Sequence, residues 1–186
     1  MKSAIGLLEL KNVARGILVA DSMLKSANVE LLLAQPLCPG KYVVMVSGDV
    51  GAVQSAVRSG KEIGQDGVVD EFVLPNIHSS VFPALSGCTA ITALNALGVI
   101  ESYSVASAIT AADAAVKAAA VELIEIRLAR GMGGKSVVLL TGDVGAVTAA
   151  IRTGSEVIRD SGFLVDQIVI AAPHKNLREA IDKPFW

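Results

Sequence analysis

The chain contains one six-residue string twice, spelled identically. Residues 48–53 and 142–147 both read Gly-Asp-Val-Gly-Ala-Val. Five further residues of the first copy return 92 positions later: Gly6, Glu9, Asp21, Lys25 and Val29 reappear as Gly98, Glu101, Asp113, Lys117 and Val121. Self-similarity at a fixed period indicates a duplicated structural unit. We therefore predict two homologous domains, covering residues 1–92 and 93–186.

The spacing between equivalent residues grows along the chain. It is 94 for the pairs Gly40-Lys41 and Gly134-Lys135, and 96 for His78 and His174. The second copy has therefore gained two residues before Lys135. An insertion usually falls in a loop, so we expect a longer loop at this point of the second domain.

Apolar periodicity predicts the same element order in both copies. In the first copy we predict strands over 3–10, 29–34, 41–47 and 68–74, and helices over 13–27, 49–63 and 79–85. In the second copy we predict strands over 96–102, 121–128, 135–141 and 163–170, and helices over 105–119, 143–160 and 174–182. The fold class is α/β (α+β), with each domain a β-α-β-β-α-β unit of the split type that has mixed strand pairing and helices on one face.

The helix patterns also predict particular faces and caps. In the first helix Val13, Ile17, Ala20 and Leu24 share one face, which we expect to meet the core. Asp49 precedes the next helix and is expected to cap it.

Composition limits the class of partner. Hydrophobic residues make up 52% of the chain and charged residues 18%, and domains this small cannot hide so much apolar surface alone. We therefore expect shared surfaces with neighbouring proteins. The net charge is −2 and there is no basic cluster, which argues against nucleic acid. Two cysteines do not suggest a disulfide scaffold, so a reducing cytoplasm is favoured.

A membrane span is also disfavoured. Residues 72–100 contain no Asp, Glu, Lys or Arg, but Pro75, Asn76, His78 and Pro83 would leave a spanning helix broken and polar in lipid. We interpret this run as a strand end, a short helix and the link between domains.

Residues 129–136 satisfy a loose form of the phosphate-binding loop. A true loop of that kind joins a strand to a helix, whereas Ser136 opens a predicted strand. A glycine-rich hairpin turn is therefore favoured over nucleotide binding.

The other polar candidates have simpler interpretations. His78 and His174 follow the last strand of each copy, which suggests that both cap the next helix. Asp21 with Lys25, and Asp113 with Lys117, have the spacing of helical ion pairs. No nucleophile elbow or acidic dyad is present, so the sequence does not predict an enzyme.

The two cysteines differ in their settings. Cys88 lies in the apolar link and is most simply a small buried hydrophobe. Cys38 occupies the tip of a hairpin loop before Pro39, where packing seldom requires a thiol. A cysteine before proline is a common setting for an iron–sulfur ligand, but one cysteine per chain holds a cluster only in a symmetric assembly.

Taken together, these residues resemble the tandem-domain shell proteins of bacterial microcompartments. The similarity covers essentially the whole chain: residues 4–9 and 97–101, 20–25 and 112–117, the two Gly-Lys pairs, and the two hexapeptides. The resemblance implies a homotrimer that forms a flat pseudohexamer with a central pore. It implies that such disks tile with other shell proteins around enzymes, within the cytoplasm, and that the pore conducts small molecules.

The resemblance also implies roles for particular residues. Lys25 and Lys117 match the lysine at the shell edge, which packs on an adjoining disk. Two loops match those that line the pore: Pro36, Leu37, Cys38, Pro39 and Gly40, and Arg130, Gly131, Met132, Gly133 and Gly134. One departure is that Asn76-Ile77-His78 and Ala172-Pro173-His174 stand where these domains often have Arg-Pro-His.

The Cys-Pro-Gly-Lys context of Cys38 is most similar to the pore loop of a tandem protein from propanediol-utilisation shells. That similarity implies a 4Fe-4S cluster bound by Cys38 from three chains, and a redox enzyme or electron carrier as a partner. The alternative is a passive tile with an open metabolite pore and no cluster.

Overall fold

The computed structural model describes residues 4–89, 91 and 93–181. Within this range the chain divides into two compact units. The first contains residues through 77 together with 104–107 and 129–135, and the second contains 78–103, 108–128 and 136 onward. The predicted boundary between residues 92 and 93 stays a prediction. Ser3, Asp182 and Thr92, which end predicted segments, lie outside the described residues.

The elements follow the predicted order in both copies. The first copy has strands β1 (Ala4–Leu10), β2 (Glu30–Leu37), β3 (Lys41–Gly48) and β4 (Val68–Pro75), and helices α1 (Val13–Ser26), α2 (Val50–Gly64) and α3 (Val81–Leu85). The second has strands β5 (Ala96–Ser102), β6 (Val121–Arg127), β7 (Ser136–Gly142) and β8 (Leu164–Ile170), and helices α4 (Val105–Ala118), α5 (Val144–Arg159) and α6 (Lys175–Ile181).

Each copy forms a four-stranded sheet, in the order β2-β3-β1-β4 and β6-β7-β5-β8. The fold class is confirmed, but the mixed pairing that we predicted is wrong, because every strand pair in the described residues is antiparallel. The reason is that β3 lies between β1 and β2. The crossover through α1 makes those two strands parallel, yet they never pair directly.

The core of the first unit lies between one sheet face and the helices α1 and α2, as predicted. It is formed by the buried residues Ala4, Leu8, Leu10, Tyr42, Val44 and Val46 of the strands and Val19, Ala20, Met23, Val53, Ala56 and Val57 of the helices. The predicted inner face of α1 is correct for Ala20 but wrong for Ile17 and Leu24, which are exposed. Val19 and Met23 are buried in their place. The orientation follows from Gly16, where an added Cβ would lie 2.4 Å from the Tyr42 ring.

Two helices begin with equivalent caps. The Asn12 Oδ1 atom accepts a hydrogen bond from the Arg15 N–H at 3.0 Å, and Ser104 Oγ accepts one from the Ser107 N–H at 3.1 Å. Asp49 occupies the N-cap position of α2, but its side chain makes no capping hydrogen bond in the structure. The predicted N-cap position is therefore confirmed, without the side-chain hydrogen bond that such a residue commonly makes.

Among the described residues, no helix is both long enough and apolar enough to cross a membrane.

Candidate functional site

The two loops predicted to line a pore lie side by side in the first compact unit. The Cys38 N–H donates a hydrogen bond to the Ala129 carbonyl oxygen at 3.0 Å, and the Arg130 guanidinium donates one to the Gln35 side-chain oxygen. A Cβ at Gly134 would lie 2.9 Å from Pro39 Cδ. The second loop can therefore approach the first closely because it carries glycine here.

The thiol of Cys38 lies at the tip of the first loop, as predicted. Residues 38–40 connect β2 to β3, and the Cys38–Pro39 peptide bond is cis. The thiol is not in a disulfide, and the residue is half-buried. A half-buried thiol at a loop tip is accessible to a metal or to a second chain while its backbone is held in place.

Cys88 does not have the environment that we predicted. It is exposed rather than buried, and its Sγ atom lies 3.4 Å from the Ser86 carbonyl oxygen. The prediction failed because apolar neighbours in sequence do not ensure burial. Cys88 therefore provides an accessible thiol with which Cys38 can be compared.

The loose phosphate-binding pattern forms a turn between two strands. Ser136 begins β7, which pairs antiparallel with β6. Gly131, Gly133 and Gly134 all have positive φ angles. The segment is thus a glycine-rich hairpin connection that lacks the helix N-terminus on which phosphate binding depends.

A buried polar cluster anchors the base of the first loop, and our sequence reasoning assigned it no role. Glu9 is fully buried and forms an ion pair with Lys41, the first residue after the loop. The Glu9 Oε2 atom also accepts hydrogen bonds from the Val105 N–H at 2.8 Å and from Ser104 Oγ at 3.0 Å. The available signal was that Glu9 and Lys41 both recur, as Glu101 and Lys135.

Asp70 extends this cluster. Its Oδ2 atom accepts hydrogen bonds from the Ser107 hydroxyl at 2.6 Å and from the Ser104 hydroxyl. The carboxylates of Glu9 and Asp70 thus accept hydrogen bonds from the residues at the N-terminus of α4, where the helix dipole favours a negative charge. This arrangement positions backbone and does not resemble a catalytic pair.

The remaining predicted side chains have local partners. Lys25 pairs with Asp21 at 2.7 Å and Lys117 with Asp113 at 2.6 Å, which confirms both helical ion pairs.

The imidazoles of His78 and His174 both lie beside the start of the next helix. Nδ1 of His78 accepts a hydrogen bond from the Ser80 N–H, and Nδ1 of His174 accepts one from the Asn176 N–H, each at 3.3 Å. The predicted capping role of the histidines agrees with this geometry.

A single chain does not contain a complete metal site within the described residues. These residues include no group of three or more His, Cys, Asp or Glu side chains that could hold a metal ion. Cys38 is therefore not part of such a group within the described part of its own chain.

The chain is similar to several known proteins. The model of the BMC domain family matches residues 4–77 and 96–173. The bacterial microcompartment shell protein PduT of Citrobacter freundii is 47% identical over 177 residues, which cover 95% of this chain and 96% of that protein. The carboxysome shell protein CsoS1C of Halothiobacillus neapolitanus is 39% identical over 42% of this chain and 83% of its own length.

Solved structures show the same similarity. A microcompartment protein from Desulfitobacterium hafniense has 49% sequence identity and a TM-score of 0.85, with 96% of this chain and 99% of that chain covered. The fused permuted hexameric shell protein of the RMM microcompartment has 22% identity and a TM-score of 0.67, with 85% and 82% covered. The second likeness shows the fold alone.

Proposed function

The chain belongs to the BMC-domain family, as a tandem shell protein of bacterial microcompartments, and from this premise we propose that three copies form a pseudohexameric tile with a 4Fe-4S cluster at its central pore. Its role is structural rather than enzymatic. The observation that supports the cluster is the half-buried Cys38 thiol at the tip of the first loop. The backbone of this loop is held by the hydrogen bond from the Cys38 N–H to the carbonyl oxygen of Ala129 in the same chain.

A trimer is supported by the duplication. Two BMC domains per chain supply six domains from three chains. Cyclic symmetry places three equivalent copies of every residue around one axis, and in the proposed tile the two loops of each chain lie nearest to it. Cys38 thus supplies three thiolates in a threefold ring.

The donor chemistry fits the proposed group. Iron–sulfur clusters are held by cysteine thiolates, and three thiolates leave one iron available to another ligand. When bound, the cluster would supply a one-electron redox centre within the shell wall. The chain's own residues would ligate it through Cys38 and exclude solvent with the adjacent Pro36, Leu37 and Pro39. The expected partner is a redox enzyme or electron carrier.

Replacing Cys38 tests this proposal directly. We expect anaerobically purified wild-type protein to contain about four irons and four sulfides per trimer. The Cys38→Ser variant should lose nearly all of both, together with the visible charge-transfer absorbance and the electron-spin-resonance signal that the wild-type protein gives after one-electron reduction. Iron, sulfide and both spectra are measured on the assembled protein.

Cys88→Ser is the matched control, because it removes an accessible thiol outside the loops. It should keep the cluster. Wild-type protein without iron or sulfide after anaerobic purification would refute the cluster, and so would equal iron loss in both variants.

A second candidate function is a passive tile with an open metabolite pore. It requires only the two adjacent loops, which are joined by the hydrogen bond from the Cys38 N–H to the Ala129 carbonyl oxygen. The supporting result would be a stable wild-type trimer that lacks iron and whose pore passes small solutes as well as the pore of the Cys38→Ser variant.

The edge lysines give a separate prediction about tiling. Lys25 is 75% exposed at the side chain, so its ammonium group can reach an adjoining disk. We expect Lys25→Ala to abolish two-dimensional sheets in electron micrographs while leaving the trimer and its stability unchanged. Lys61→Ala is the control, because Lys61 also forms an exposed ion pair, with Glu71 at 2.7 Å. Sheets that persist in the Lys25 variant would contradict an edge role.

A further inference from the structure

The duplication provides an internal comparison of burial. Four large apolar side chains are exposed although their equivalents in the other copy are buried. The pairs, exposed residue first, are Ile17 56% and Ile109 0%, Leu31 45% and Leu123 1%, Ile168 45% and Phe72 8%, and Leu177 39% and Val81 0%. Equivalent positions with such different exposure indicate that the exposed member lacks a neighbour that its equivalent has.

The four exposed residues fall on two surfaces. The α1 surface consists of Asn12, Arg15, Ile17 and Asp21 of α1 and its cap, with Leu31 of β2. The β8 surface consists of Asp166 and Ile168 of β8, with His174 and Leu177 at α6. One surface belongs to the first copy and the other to the second.

The equivalents of these two surfaces contact each other within the compact units. Asp70, the equivalent of Asp166, accepts a hydrogen bond from Ser107, the equivalent of Arg15. The N–H of His78, the equivalent of His174, donates to Asp113, the equivalent of Asp21, at 2.8 Å. Helix α3, which carries the equivalent of Leu177, packs on β6, which carries the equivalent of Leu31.

The local geometry of the exposed residues already matches that of their equivalents. Asn12 and Ser104 make the same cap, at 3.0 and 3.1 Å. Asp166 accepts a hydrogen bond from the Gln167 N–H at 2.7 Å, as Asp70 does from the Glu71 N–H at 2.8 Å. The backbone at these two places is therefore already in the conformation that the buried equivalents have. The Arg15 guanidinium donates a hydrogen bond to the Ile63 carbonyl oxygen at 3.3 Å, an exposed contact that it would exchange for Asp166.

We infer that Arg15 of one chain forms an ion pair with Asp166 of a second copy of this chain, where the α1 surface meets the β8 surface in the proposed trimer. The partner is a second copy of this chain, because the residues equivalent to the α1 surface contact the residues equivalent to the β8 surface. The charges agree as well: a cationic Arg15 replaces the neutral Ser107 opposite an aspartate that both copies retain. This inference rests on the proposed trimer and adds to it the ion pair at each junction.

The Arg15–Asp166 pairing makes the contact between chains ionic, whereas the equivalent contact within one chain, Ser107 with Asp70, is not an ion pair. Two different surfaces meet, so the contact is heterologous and forms a ring when the rotation closes. A serine hydroxyl on Asp70 is neutral, whereas Arg15 on Asp166 is ionic. Screening lengths fall from about 10 Å at 0.1 M salt to about 3 Å at 1 M. Salt should therefore weaken assembly without opening the folded chain.

Charge reversal tests the pairing in the full chain. We expect Arg15→Asp or Asp166→Arg to weaken each junction at least about tenfold, because like charges then face each other. With three junctions in a ring, the formation constant of the trimer should fall about a thousandfold. The double variant Arg15→Asp with Asp166→Arg should restore most of it. Sedimentation velocity over a concentration series measures the constants, and circular dichroism confirms that each variant is folded.

Matched controls are provided by charges that are exposed in both copies. Arg58 is exposed and so is its equivalent Arg152, and the same holds for Glu62 and Glu156. Arg58→Asp and Glu156→Arg should leave the trimer unchanged. A milder variant, Arg15→Ser, copies the serine of the second domain and should reduce the salt dependence of assembly.

The possible outcomes separate this inference from the proposed function. A wild-type trimer that is unaffected by either reversal, or a double variant no better than the singles, would overturn the Arg15–Asp166 pairing and leave the tile standing. Wild-type protein that stays monomeric at all concentrations would overturn both.

Discussion

Substituting Glu9 with alanine is expected to lower the free energy of unfolding by about 3–5 kcal/mol. The carboxylate is fully buried, and its partner Lys41 is only 14% exposed at the side chain. Removing the carboxylate leaves a poorly solvated ammonium group, and the Val105 N–H loses its acceptor. Urea unfolding followed by circular dichroism measures the change, at one fixed protein concentration because assembly stabilises the folded chain.

The variants Glu9→Gln and Glu9→Met with Lys41→Met separate charge from shape. Glutamine keeps an acceptor for Val105 and should cost less, about 1–3 kcal/mol. The double methionine variant removes both charges and should recover much of the loss, because a buried ion pair contributes little over a packed apolar pair. Glu71→Ala breaks the exposed pair with Lys61 and should cost about 0.2–1 kcal/mol. Equal losses for Glu9→Ala and Glu71→Ala would refute the buried cluster.

Replacing Gly154 with alanine is expected to cost about 3 kcal/mol, at the upper end of the usual range for overpacking. An added Cβ would lie 2.7 Å from the Ala111 carbonyl oxygen and 3.2 Å from Ala115 Cβ. The first obstacle is backbone, so α4 and α5 must separate before the methyl group fits. The midpoint of urea unfolding reports the loss.

Two other glycines make this prediction specific. Gly60 is the equivalent of Gly154 in the first copy, but its new Cβ would meet Leu8 Cδ1 and Met23 Cγ, which belong to flexible side chains. Gly60→Ala should therefore cost less. Gly145 is in the same helix as Gly154, has open space around it, and should gain about 0.5–1 kcal/mol from alanine. A stabilising effect of alanine at Gly154 would show that the two helices tolerate separation.

The sequence was sufficient for the fold because the repeat and the apolar periodicity agree twice. Both signals depend only on the spacing of residues along the chain, so they can be recognised without knowing which distant residues make contact. The pairing of the strands could not be predicted from spacing in this way. Whether β1 and β2 pair directly depends on β3 entering between them, and this is a matter of sheet order rather than of pattern.

The predicted face of α1 failed for a different reason. The helix has apolar residues on two sides, and periodicity cannot tell which side meets its own sheet. Ile17 and Leu24 point outward because Gly16 has to face Tyr42. The role of Glu9 was missed since a lone glutamate in a strand normally indicates the exposed face. Only the three-dimensional structure shows that Lys41 and Val105 surround it.

The different burial of α1 and α4 has a consequence for how the two copies evolve. Substitutions in α4 are filtered by the folding of one polypeptide, since Ile109 and its neighbours are buried within it. On the proposed assembly, substitutions in α1 act on the contact between polypeptides, so they can change assembly without changing the fold of one chain. In that proposed assembly, α1 therefore keeps the contact between chains that an unduplicated ring makes at every junction, whereas in α4 the same contact has become internal to one polypeptide.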